Sequence, residues 1–293
     1  MASVGAVGAG CVAYGTLIER RWYRLRHLTV PGVLRRPGRL TILQVADLHL
    51  IPGQDHRIRF LASLADLGHE LVVASGDLLG APHVEDLTAD ALAPLTAAGA
   101  PGLVVLGSND FYAPVPRSPF SYFTTPLRRS FGVRLETDRL VDRLAGYGYR
   151  TLRQEATVVD TAAGPVVVGG LDDPHLPTTE LPPAGQVAPP PGSAGSDALL
   201  HLGLVHAPYV AALDLLVDAG HDLLLAGHTH GGQVRLPGIG ALTANCDLPL
   251  DQARGLSRHR GRVLHVSPGL GHGRYAPFRF ACRPEATLLE LTH

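Results

Sequence analysis

Five short clusters in this chain carry side chains able to hold divalent cations: Asp47-x-His49, Gly76-Asp77, Gly107-Ser108-Asn109-Asp110, the lone His206, and Gly227-His228-Thr229-His230. Singly, each has an ordinary explanation. An Asp-x-His can cap a strand end, Gly-Asp often makes a turn, and a buried histidine is usually just hydrogen-bonded. Their order argues otherwise, because every one of them stands at the end of an apolar run. Together they offer imidazole nitrogens with carboxylate and amide oxygens, a donor set suited to borderline-hard ions such as Mn, Fe and Zn. Cysteine takes no part: Cys11, Cys246 and Cys282 are odd in number and far apart, which gives neither a disulfide framework nor a zinc-ribbon spacing and points to a reducing compartment. One carboxylate shared by two ions holds them roughly 3.5 to 4 Å apart, close enough for a bridging water to lose a proton near neutral pH and attack a phosphorus atom in line.

The elements that must position these residues follow from the apolar runs. Residues 39–46 read as a strand with Asp47 and His49 at its C-terminal end, residues 71–74 as a second ending at Asp77, and residues 102–106 as a third ending at Asn109. Amphipathic stretches at 54–68 and about 84–98 predict helices between them. Three successive βα units imply parallel strands whose polar end loops gather along one edge. Further strands are expected at 156–160, 165–170, 199–205, 222–226, 262–267 and 286–291. Residues 174–197, rich in Pro, Gly, Ala and Ser, read as a flexible loop or lid.

The series of clusters resembles the calcineurin-like metallophosphoesterase signature, D-x-H, G-D, G-N-H-[DE], a lone H and G-H-x-H. Gly227-His228-Thr229-His230-Gly231-Gly232-Gln233 resembles in particular the bacterial branch that includes the YkuE-type and YaeI-type phosphodiesterases. The resemblance implies two divalent metal ions, one bound by Asp47, His49 and His230 and the other by Asn109, His206 and His228, with Asp77 bridging them. It implies an α/β fold, a four-layer α/β/β/α sandwich with two facing mixed sheets. The expected activity is hydrolysis of a phosphoester, a phosphodiester or pyrophosphate, by a metal-bridging hydroxide. The third cluster departs from the family pattern: the usual histidine is lost whether Asn109 or Ser108 takes the ligand position, and Asn109 is preferred because an amide oxygen is the better neutral donor. Asp110 could then supply a proton to the leaving group only if its pKa were raised, and otherwise the leaving group must depart with little protonation. Arg274, in the glycine-rich run 269–274, and Tyr112, directly after the third cluster, are candidate substrate-binding residues. Asp172-Asp173-Pro174-His175 is either a capped turn or part of the cleft wall.

The chain has 293 residues, a formal net charge of -1 and a pI near 6.9, so no overall basic field favours nucleic acid as a partner. All 25 basic residues are arginine, which reflects coding bias. Residues 2–18 are apolar and uncharged, and Glu19-Arg20-Arg21-Trp22-Tyr23-Arg24 follows abruptly. Residues 1–37 therefore read either as a partly buried first helix or as a membrane anchor with a basic, aromatic flank at the inner leaflet, and residues 38–293 as the phosphoesterase domain. An anchor would place that domain on the cytoplasmic face and would favour a substrate with a lipid-type phosphorylated headgroup over a nucleotide. The rival readings are a metal-binding module without turnover on the same fold, motivated by the missing histidine, and a membrane-tethered structural protein with packed histidines.

Overall fold

The computed structural model describes residues 2–116, 131–189 and 198–293. The strands, in chain order, are β1 (Arg24–Val30), β2 (Arg39–Val45), β3 (Leu71–Ala74), β4 (Gly102–Val104), β5 (Tyr149–Thr151), β6 (Glu155–Thr161), β7 (Gly164–Gly170), β8 (Leu200–Leu204), β9 (Leu223–Ala226), β10 (Arg235–Leu236), β11 (Gly240–Ala241), β12 (Gly255–His259), β13 (Arg262–Val266) and β14 (Glu285–Thr292). The α-helices are α1 (Ala2–Ala13), α2 (Asp55–Ala62), α3 (Glu85–Leu92), α4 (Ser108–Phe111), α5 (Thr137–Gly146), α6 (Ala184–Val187) and α7 (Val210–Asp218). One six-stranded sheet runs β1-β14-β2-β3-β4-β5 and the other β12-β13-β9-β8-β7-β6, with β10 and β11 forming a small hairpin. Both large sheets are mixed: β2 to β5 are parallel beside antiparallel β14, and β7, β8, β9 and β13 are parallel between antiparallel edge strands.

The layering comes from two-residue alternation with both faces buried. Leu40, Ile42, Leu71, Val73 and Leu103 on one sheet meet Val166, Val168, Leu202, Leu204 and Leu225 on the other. The alternate residues Leu43, Val45, Val72 and Val104 face α2, α3 and α5 through Leu61, Leu92, Leu140 and Leu144. On the far side, Leu224, Ala226 and Leu264 pack on α7 through Leu213 and Leu216. The result is the four-layer α/β/β/α sandwich, and the C-terminal ends of β2, β3, β4, β8 and β9 converge on one edge.

The segment before residue 38 is built into this fold. β1 pairs in parallel with β14 along its whole length, and Val30, Val33 and Leu34 are buried in the core between the sheets. Arg24 Nε donates to the buried Glu285 Oε2 at 2.7 Å. Glu19 is also buried, its carboxylate accepting from Ala281 N at 3.0 Å and Cys282 N at 2.6 Å. The boundary expected at residue 37 thus falls inside a sheet-bearing unit. Its strand was hidden because Arg24, Arg26 and His27 break the apolar alternation on an edge whose outer side stays half-exposed. Among the described residues no helix is long and apolar enough to cross a membrane. Residues 117–130 and 190–197, which include part of the expected lid, lie outside the described residues.

A buried polar cluster ties the sheets together behind the convergent edge. Gln44 Nε2 donates to Ser75 Oγ at 2.9 Å and to Ala226 O at 3.0 Å, while His265 Nδ1 donates to Gln44 Oε1 at 2.6 Å. Burial, reinforced by Arg26, pushes the His265 imidazole down to about 3. A histidine kept neutral in the fold binds a proton only when the chain unfolds, so it stabilises less as pH falls below its ordinary 6.5. Between pH 6.5 and 4.5 wild-type protein should lose about 2 to 3 kcal/mol more stability than His265→Asn, which keeps a donor toward Gln44. Urea unfolding at both pH values measures this, and parallel losses would contradict it.

Candidate metal centre

Each expected ligand stands two to five residues beyond a parallel strand, where the backbone must turn sharply. Asp47, His49, Asp77, His228 and His230 all adopt positive φ, between 41° and 68°. Such conformations cost free energy in non-glycine residues and persist only where the surroundings over-determine them. Here they do. Asp47 N donates to Gly76 O and His49 N to Asp77 O, both at 2.9 Å, which lashes the first two loops together. The buried Arg57 donates to the carbonyls of Leu48 and His49. Arg279, fully buried, donates to the carbonyls of Pro268, Gly269, Gly271 and Cys282, fixing the glycine-rich loop against Asp47. Gly107 is required by contact, since a Cβ there would strike Asp77 Oδ1 and the His206 ring.

The side chains gather into two groups, Asp47 with His49 and His230, and Asp77 with His206 and His228, each with its donor atoms within 4.8 Å of one another. His49 Nε2 and His230 Nε2 stand 3.1 Å apart, the separation of two nitrogens on one ion at bond lengths near 2.1 Å. His206 Nδ1 donates to Ser75 O at 2.6 Å, which turns Nε2 toward the site, and that buried nitrogen has no hydrogen-bond partner. His228 Nε2 donates to Asn245 O at 3.1 Å, which leaves Nδ1 as the basic nitrogen. A backbone carbonyl on the far nitrogen is the usual way that metal-binding histidines are oriented. Asp77 faces both groups: Oδ2 is 3.5 Å from His49 Nε2 and Oδ1 is 3.4 Å from His206 Nε2. Asn109 joins it, donating from its backbone N to Oδ1 at 2.9 Å and from Nδ2 to Oδ2 at 2.7 Å.

The electrostatics fit cation binding. Burial pushes His49 down to about 4, and burial also holds His228 and His230 well below the ordinary imidazole range. Three imidazoles are therefore neutral at physiological pH, each with a nitrogen lone pair available to a cation. Burial pushes Asp47 up to about 8, with the adjacent Asp77 charge adding to it. Burial acts on Asp77 in the same sense, but the surrounding histidines, His206 above all, outweigh it and hold Asp77 well below the usual carboxylate range. Burial likewise opposes protonation of His206, and the Asp77 charge overrides it, holding that imidazole well above 6.5. A charge pair of this kind, buried and with no hydrogen bond at His206 Nε2, is stabilised when a divalent cation replaces the proton.

Asp110 is placed otherwise than an acid at the leaving group requires. It is fully buried, its Oδ1 accepts from Leu78 N at 2.7 Å and Leu79 N at 3.0 Å, and its Oδ2 accepts from Gly107 N at 2.9 Å. Its pKa is pushed up to about 7, first by burial and then by Asp77, yet the carboxylate does not line the cavity beside the metal groups. Arg274 and Tyr112 both line that cavity, which measures about 580 Å³. Asp173 serves both readings of its segment: it accepts from His175 N and from Ser108 N, at 2.9 and 2.8 Å, and so presents His175, 3.0 Å from the Tyr209 hydroxyl, to the cavity. Asn245, Arg279 and Gln44 have no strand-end motif, and nothing in their local sequence marks them as supports of the site.

Residues 40–232 match the family model described as calcineurin-like phosphoesterase. The phosphodiesterase YaeI of Escherichia coli (strain K12) is 33% identical over 208 residues, 65% of this chain and 70% of that protein. The uncharacterized metallophosphoesterase YkoQ of Bacillus subtilis (strain 168) is 32% identical over 154 residues, so the chain spans 53% of that relative's length and the match takes in 52% of its own. Among solved structures, the phosphopantetheinyl hydrolase PptH of Mycobacterium tuberculosis aligns over 82% of this chain and 93% of its own, with 13% identity and a TM-score of 0.45. The chain belongs to the calcineurin-like phosphoesterase family, and is a metal-dependent phosphoester hydrolase with two places for divalent cations.

Proposed function

We propose that the enzyme hydrolyses a phosphodiester or pyrophosphate bond at the inner-membrane surface, with Asp77 bridging two cations, Asp47, His49 and His230 completing one site and Asn109, His206 and His228 the other. The observation that carries this is the orientation of Asp77, one oxygen toward each group. When bound, the two cations, manganese in this reading, supply Lewis acidity and ionise a water near neutral pH. The chain itself does the rest. Ser75 O and Asn245 O fix the tautomers of His206 and His228, and Arg57 and Arg279 hold the strained loops. Arg274 is the cavity's guanidinium for a phosphoryl oxygen, and Tyr112 walls the space beside it. Asp110, tied to three amides, acts as organiser of the Gly107 loop and not as proton donor. That assignment favours leaving groups that depart with little protonation, such as nucleotide or pyrophosphate moieties, or activated lipid headgroups. The membrane assignment rests on the uncharged α1 and the Arg20, Arg21 and Trp22 that follow it, and it places the enzyme on the cytoplasmic face.

The test is elemental analysis of purified protein together with hydrolysis of bis(p-nitrophenyl) phosphate and p-nitrophenyl phosphate with added manganese. The expected result is near two metals per chain, preference for the diester, and loss of activity on chelation that returns when manganese is restored. Preference for the monoester would remove the diester assignment, and metal without turnover of either would favour a binding module.

A further inference from the structure

His49, Asp77, His228 and His230 of the metal groups line the cavity, and most of its remaining wall is hydrocarbon. Val115 and Phe131, Pro277 and Phe278, Leu242 of the segment after β11, and Val12 of α1 all line it. Val12, Leu242 and Tyr275 line the cavity and are also solvent-exposed, by 58%, 37% and 44%. Residues that are both wall and surface mark the mouth, so the mouth of this catalytic cavity is apolar on three separate segments. Leu17, Ile18 and Trp22, which follow Val12 in the chain, and Ile239 on the hairpin are exposed as well. Exposed apolar side chains gathered at the mouth of a cleft mark an interaction site.

The N-terminal helix is fixed in place as part of this wall. Gly15 lies directly against Phe278, leaving no room for a side chain, and Gly15 O accepts from Arg279 N at 3.2 Å. One turn later the Glu19 carboxylate clasps the amides of Ala281 and Cys282. The same loop carries Arg279, which holds the glycine loop against Asp47, so the helix and the metal centre share one support. Cations stand around the apolar rim: Arg21 is exposed, Arg283 stacks 4.0 Å from the Trp22 ring centroid, and Arg274 lies 6.0 Å from that of Tyr275. Arginine beside aromatic and aliphatic surface is the composition that rests on an anionic leaflet.

We propose that the cavity takes the hydrocarbon chain of an amphiphilic phosphodiester drawn from an anionic bilayer, with the N-terminal helix as one wall of the chain pocket and its outer side against the lipid. This rests on the phosphodiesterase reading above and adds the substrate class. In the reaction a water oxygen bonds to phosphorus, the phosphorus–oxygen bond to the leaving group breaks, the water proton is released, and the alkyl phosphate keeps its chain in the cavity.

The experiment uses the full-length, manganese-loaded enzyme and a series of alkyl p-nitrophenyl phosphodiesters, methyl, butyl, hexyl and octyl, at monomeric concentrations. kcat/KM is expected to rise roughly two- to fourfold per methylene, the range for partial to full burial of a CH₂ group, until the cavity is filled. Val12→Glu and Leu242→Glu, which alter two independent walls, should each flatten that slope. In a second arm, a dodecyl ester in phosphatidylcholine vesicles should be cleaved faster when phosphatidylglycerol is included. A methyl ester cleaved as well as the octyl ester would overturn the chain pocket and leave the phosphodiesterase reading standing. No turnover of any ester with two metals bound would overturn both. A rising slope with no response to phosphatidylglycerol would overturn the bilayer as the source.

Discussion

Asp77→Asn should lower kcat/KM on bis(p-nitrophenyl) phosphate at least about a thousandfold, on the order of 4 kcal/mol of transition-state stabilisation, and reduce bound metal from two per chain to one or none. The carboxylate is buried at the cavity wall, and its two oxygens face His49 and His206. An amide there carries no charge to offset two cations and turns one acceptor into a donor. Asn109 makes the swap worse, because its backbone N and its Nδ2 both donate to Asp77, so an asparagine would meet at least one of them donor to donor. Metal content and turnover measured on the same sample separate the outcomes: wild-type turnover would refute the bridging role, and two metals with no turnover would confine the role of Asp77 to charge.

The second large effect is on stability. Asp110→Ala should destabilise the protein by roughly 3 to 6 kcal/mol, because the amides of Leu78, Leu79 and Gly107 would lose their acceptor in a buried place, at about 1 to 3 kcal/mol each with partial relaxation. Two of these amides follow Asp77 directly and the third belongs to the glycine that touches it, so metal affinity should fall in parallel. Asp110→Asn keeps one acceptor oxygen and cannot donate a carboxylic proton. Its NH2 then meets the Gly107 N–H donor to donor, so a loop organiser predicts that Asp110→Asn recovers only the part of the stability held by Leu78 N and Leu79 N and, once loaded with metal, most of kcat. A general acid predicts native-like stability with kcat reduced a hundredfold or more. Urea unfolding with steady-state kinetics on both variants distinguishes the two roles.

Much of the architecture was legible because parallel strands buried on both faces write themselves as short apolar runs. Those expected at residues 156–160, 165–170 and 222–226 appear as β6, β7 and β9 within one residue. Helices were less legible: the expected 54–68 and 84–98 end early, at Ala62 and Leu92, where tighter turns take over. β1 is not legible in the sequence because an edge strand half-open to solvent tolerates Arg24, Arg26 and His27, and what holds it is β14 from the other end of the chain. The role of Asp110 was likewise out of reach, since its three amide partners include two that lie over thirty residues away.

The sequence by itself determined the chemistry of this protein: the ligand types, their order and their attachment to strand ends are local properties, and together they specify a dinuclear phosphoesterase. Only the tertiary structure decided which atoms meet. It set His49 Nε2 and His230 Nε2 3.1 Å apart from positions 181 residues apart in the chain, turned Asp77 to face both groups, spent Asp110 on the backbone, and laid the N-terminal helix along the wall of the active cavity. The physical reason is that ligand identity is a property of single residues. Positive-φ loops, buried arginines holding carbonyls and the face a helix presents are fixed by contacts between segments that nothing in their own neighbourhood records.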